Sequence, residues 1–135
     1  MRLDFGAVLK SALPPFIVWA AVVLVVTFVR HQPGVVCVTP MAWLLACWVG
    51  LSCVARSRSE RKSALLAEAA LSGGALGLLQ GLLFVLVAPY MGEIKPEERQ
   101  KMLLLSVGMV VVGMVVSALL STAVGAAQAR KRASK

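Results

Sequence analysis

The run Met102–Ala127, MLLLSVGMVVVGMVVSALLSTAVGAA, decides the architecture of this chain. It carries no charged side chain over 26 residues. A helix rising about 1.5 Å per residue needs about 20 such residues to cross roughly 30 Å of hydrocarbon. Three further runs of similar length precede it, at about 11–29, 35–55 and 64–88, and the fourth occupies 102–127. Helices satisfy their own backbone groups inside lipid, where open strands leave theirs bare. The chain therefore reads as all-α, an integral membrane four-helix bundle, with connections too short for a second domain. Residues 1–135 form a single transmembrane domain.

Composition points the same way. Of 135 residues 59% are hydrophobic and 15% charged, and the mean hydropathy is +0.86. An ordinary soluble domain is roughly 45–50% apolar. This excludes a disordered regulator, a disulfide-stapled toxin and a soluble nucleic-acid binder. The net charge of +8 and pI near 10.1 would suggest a phosphate-rich partner in a soluble protein, but here the basic residues sit at the ends of apolar runs. No nucleic-acid partner is expected; the lipid bilayer is.

Orientation follows from counting Lys and Arg on either side. One side holds ten: Arg2, Lys10, Arg56, Arg58, Arg61, Lys62, Arg130, Lys131, Arg132 and Lys135. The other holds four: Arg30, Lys95, Arg99 and Lys101. Both termini are expected in the cytoplasm, with the chain in the cell (plasma or inner) membrane.

Arg30, His31 and Gln32 follow the first run, with no small-residue cleavage site, so it reads as an uncleaved span. Ahead of it Phe5, Val8, Leu9, Ala12 and Leu13 recur at helical spacing, predicting a short amphipathic interfacial helix at the N-terminus. Pro14 and Pro15 remove two amide donors and predict a bend after it. Pro33 and Gly34 are turn residues, Thr39 and Pro40 read as an N-cap and a first helical position, and Ser57 with Glu60 has capping-box spacing. Pro96, Glu97 and Glu98 predict the start of the fourth helix, with acids at the positive end of its dipole and Glu97 four residues before Lys101.

The most informative pattern is the spacing of small residues. Gly73, Gly77 and Gly81 recur every four positions on the third helix, and Gly113, Ser117, Ser121 and Gly125 on the fourth; Ala42, Ala46 and Gly50 form a weaker stripe on the second. Lipid offers little drive for helices to associate, so close backbone approach across small side chains must supply it, as in a glycine zipper. Such stripes join helices of one chain most simply. They equally suit a homo-oligomer or a larger membrane-protein complex.

Polar groups at depth are few. Glu68 lies near the basic loop, where pairing with Arg61 or Lys62 or exposure to headgroups is expected, and a proton relay is the sharper alternative. Gln80 lies deeper, and an amide there suits interhelical hydrogen bonding more than a substrate contact. His31 lacks companion ligands, so neither metal nor haem is expected. Cys37, Cys47 and Cys53 contain no Cys-x-x-Cys pair and read as small hydrophobes. Phe28, Trp43 and Tyr90 suit one membrane boundary, Phe5 and Phe16 the other, with Trp19 and Trp48 deeper. Packing surfaces are thus abundant, whereas catalytic residues and cofactor sites are missing. The expected role is non-enzymatic, an accessory, assembly or structural subunit of a membrane complex. The second reading is a small channel or transporter with a path near Gln80, Ser72, Ser117, Ser121 and Thr122.

Overall fold

The computed structural model describes residues 3–30, 35–58, 60–87 and 95–134, with the side chains of 29, 30, 35–39 and 102 outside that description. His31, Pro33, Gly34 and Tyr90, and the side chains of Cys37 and Thr39, fall outside the described residues. Four helices occur among the described residues: α1 (Phe5–Arg30), α2 (Val35–Arg56), α3 (Lys62–Val87) and α4 (Pro96–Ala133). No strand occurs among the described residues. Three helices, α1, α3 and α4, are long and apolar enough to cross a membrane, and the Pro40–Arg56 part of α2 is a shorter apolar helix. This is a helical membrane protein.

Neighbouring helices alternate in direction. Gly77 lies against Gly113 and Gly81 against Val110, so α3 and α4 are antiparallel. Gly50 lies against Ser121 and Gly125 near Val54, so α2 and α4 are parallel. The α1–α2 pair is antiparallel, because Arg56 meets Lys10 while Trp19 and Val23 share a cluster with Leu45, Ala46 and Val49. α1 packs on α2 and α3, α4 packs on the same two, and α2 and α3 also meet. The central core joins Trp19, Val23, Leu45, Ala46, Val49 and Leu76, and a smaller cluster of Val54, Leu65, Ala69 and Ala129 lies toward the basic end.

Several boundaries differ from the expectations drawn above, each for a physical reason. The separate amphipathic surface helix is replaced by one continuous α1 that runs through Pro14 and Pro15. The five residues assigned to one apolar face divide: Val8 and Ala12 are buried, whereas Phe5, Leu9 and Leu13 are exposed. Pro14 has no N–H for the carbonyl of Lys10, four residues before it. The Arg56 guanidinium donates to that carbonyl instead, at 2.6 Å. A donor from α2 thus compensates for the rung lost at Pro14. Replacing Arg56 with Met is expected to lower stability by about 1 kcal/mol and to speed amide exchange over residues 5–13, measured by hydrogen–deuterium exchange in detergent.

Pro40 lies inside α2 instead of opening it. Ser57 does not cap α3, which starts at Lys62; its hydroxyl is directed to Glu68. α4 opens with Pro96 at its first position and Glu97 and Glu98 in the first turn, and the Glu98 N–H donates to the Lys95 carbonyl at 3.0 Å. It continues past Ala127 to Ala133, where Arg130, Lys131 and Arg132 face the negative end of its dipole. Its 38 residues span about 57 Å, well beyond a hydrocarbon core.

Candidate functional site

Two features stand out: a seam of closely approaching backbones and a buried carboxyl cluster. In the seam, a Cβ added at Gly77 would stand 2.7 Å from the Gly113 carbonyl oxygen and 2.8 Å from the Met114 Cα. One at Gly73 would overlap the Ser117 carbonyl, and one at Gly81 would stand 2.6 Å from a Val110 methyl group. On α2, a Cβ at Gly50 would overlap the Ser121 carbonyl. Ala46 is fully buried in the central core, with Ala42 packed against it. Gly125 would meet Ala69 Cβ at 3.0 Å, but Gly113 has room, its nearest neighbour being the Gly77 carbonyl oxygen at 4.0 Å. Side-chain absence is therefore needed on α3 and α2 more than at Gly113. These small faces meet one another within a single chain.

Hydroxyl groups reinforce the seam. Ser121 donates across from α4 to the Ala69 carbonyl of α3 at 2.7 Å, and Ser72 donates to the same oxygen at 3.0 Å. Thr122 donates within its own helix to Ala118 at 2.6 Å. Ser117 is buried on the α3 side, against Gly73.

Glu68 forms the second feature, and its surroundings correct the expectation of an ion pair or headgroup exposure. It is fully buried. Its Oε1 accepts the Asp4 N–H at 2.8 Å, and its Oε2 accepts the Ser57 hydroxyl. Arg61 and Lys62 are exposed, and no cation pairs with Glu68 among the described residues. The Asp4 carboxylate turns the other way and caps α1 by accepting the Ala7 N–H at 3.0 Å. Asp4, the α2–α3 link and α3 are thereby tied at one side chain. Cys53 lies beside Ser72 and Ser11, extending the polar cluster inward. Arg132 reaches from the end of α4 to the carbonyls of Val54 at 3.2 Å and Ser57 at 3.5 Å, where α2 has run out of internal donors.

None of these contacts is visible in sequence spacing. Ser57 and Glu68 lie 11 residues apart in the chain, Asp4 and Glu68 64. The only local hint is that an acid inside an apolar run must find donors somewhere.

Deeper in the bundle, Gln80 is 7% exposed and its Nε2 has no hydrogen-bond partner. The Trp19 Nε1 is buried and equally without a partner. Trp43 and Trp48 face outward instead. Cys47 and Cys53 are free thiols. No group of three or more potential metal ligands occurs among the described residues. Comparison of the chain with known protein families, curated proteins and solved structures finds no match.

Proposed function

We propose that this is a non-catalytic four-span protein of the cell membrane, with both termini cytoplasmic, serving as an accessory, assembly or structural subunit of a membrane complex. The observation that carries this reading is the outer surface of α4. Only 11% of its most apolar stretch is buried, against 33% for α1 and α3. Leu104, Leu105, Val112, Val115 and Leu119 are each more than half exposed. The small-residue faces are occupied by the chain's own helices, so a homo-oligomer or larger partner would use this broad face. Three of the four hydroxyls that could line a path, those of Ser72, Ser121 and Thr122, are instead bonded to carbonyls at Ala69 and Ala118. The cytoplasmic placement is supported by the gathering of both described chain ends and most of the Lys and Arg residues at one end of the bundle.

Purification in mild detergent with a mass measurement tests the reading. A stable assembly, of this chain with itself or with another protein, is the expected result; a solitary species that conducts solute in liposomes overturns it.

One observation favours the channel or transporter reading, the buried and unpartnered Gln80 Nε2. Replacing Gln80 with Leu is expected to leave assembly intact and stability unchanged or raised by up to about 1–3 kcal/mol, since it removes an orphaned donor. Loss of solute flux with the fold intact would instead favour the path through Gln80.

A further inference from the structure

The bundle end that holds Glu68 also concentrates positive charge. Lys10 of α1, Arg58 and Arg61 of the α2–α3 link, Lys62 at the start of α3, and Arg130 and Lys131 of the last turn of α4 are all exposed there. Far apart in the chain, they are brought to one rim by the bonds from Arg56 to Lys10, Ser57 to Glu68 and Arg132 to Val54. Arg56 and Arg132 are committed to backbone carbonyls, but the other six cations have no ion-pair partner among the described residues.

The acids at this end do little to offset them. Glu68 is fully buried, Asp4 caps α1, and α3 has no acid in its first turn, which leaves Glu60 as the one exposed carboxylate of the rim among the described residues. The opposite end is different: Lys95, Arg99 and Lys101 share the start of α4 with exposed Glu97 and Glu98.

The surface beside the rim is apolar. Leu9 and Leu13, next to Lys10 along α1, are 58% and 39% exposed. A ligand matching both features has an anionic head and a hydrocarbon body. A soluble polyanion would match the charge alone.

We propose that this rim binds anionic phospholipid, with the phosphate headgroup against the exposed Lys and Arg side chains and the acyl chains along the apolar flank of α1. The proposal rests on the membrane reading and is independent of any partner subunit.

Native mass spectrometry tests it on the 135-residue chain, equilibrated in detergent with equal phosphatidylglycerol and phosphatidylcholine of matched chains. Retention is expected to favour phosphatidylglycerol by about fivefold or more, since each nearby basic residue contributes on that scale. The preference should fall in the Arg58→Gln/Arg61→Gln/Lys62→Gln variant and persist in Arg58→Lys/Arg61→Lys, which keeps charge and fold. It should also persist in Lys95→Gln/Arg99→Gln/Lys101→Gln at the far end. Equal retention of the two lipids by correctly folded protein overturns the proposal, as does an equal loss in the far-end variant. Displacement of the lipid by double-stranded DNA at equal phosphate concentration overturns it in favour of a soluble polyanion.

Discussion

Gly77→Ala is expected to destabilise the bundle by about 1–3 kcal/mol, as overpacking typically does, whereas Gly113→Ala is expected to be neutral or stabilising. The two glycines face each other across α3 and α4, yet they are not equivalent. The added methyl at 77 would stand 2.7 Å from the Gly113 carbonyl oxygen and 2.8 Å from the Met114 Cα, both backbone atoms that yield only if the helices separate. At 113 the nearest atom is 4.0 Å away. Alanine is also favoured over glycine in a helix by about 1 kcal/mol, so the gain is retained at 113 and outweighed at 77. Leucine at 77 would act in the same direction with larger effect. Thermal unfolding in mild detergent checks the pair; equal behaviour of the two alanine variants would refute the close approach. Gly50→Ala tests the α2–α4 contact by the same logic, because its Cβ would overlap the Ser121 carbonyl.

Glu68→Ala is expected to cost about 2–5 kcal/mol, because it leaves a buried hydroxyl without an acceptor, at about 1–3 kcal/mol, deprives a part-buried N–H of its acceptor, and opens a cavity at a fully buried position. The donors are the Asp4 N–H and the Ser57 hydroxyl, so the damage should appear at the N-terminal turn of α1 and in the α2–α3 link. Glu68→Gln keeps the volume, keeps an acceptor for Asp4 and can donate its amide to the Ser57 oxygen, so it is expected to retain most of the stability. Hydrogen exchange over residues 3–10 separates the two, rising sharply in the alanine variant alone. A stable alanine variant with unchanged exchange would show that Glu68 does not hold the N-terminal segment.

The errors of sequence reading cluster at this same place. Pro14 and Pro15 mark the end of a separate helix when only local donors are counted, and the donor that serves the carbonyl freed by Pro14, Arg56, lies 46 residues beyond Lys10. Ser57 and Glu60 have the spacing of a local cap, but the Ser57 hydroxyl is drawn to a buried carboxyl, which is the more demanding acceptor. The position of Glu68 near a basic loop suggests an ion pair, yet its side chain turns into the bundle while Arg61 and Lys62 remain outside.

What the sequence determined by itself is helicity, the apolar runs that make this a membrane protein, and the start of α4 at Pro96, because each depends on neighbours a few residues apart. The four-residue recurrence of small side chains on α3 and α4 is legible for the same reason. Which backbones those faces meet, why Gly77 but not Gly113 must lack a side chain, and what satisfies the carbonyl freed by Pro14 were decided by the tertiary structure alone. Those outcomes depend on sub-ångström approach and on donors supplied by other helices, and linear spacing encodes neither.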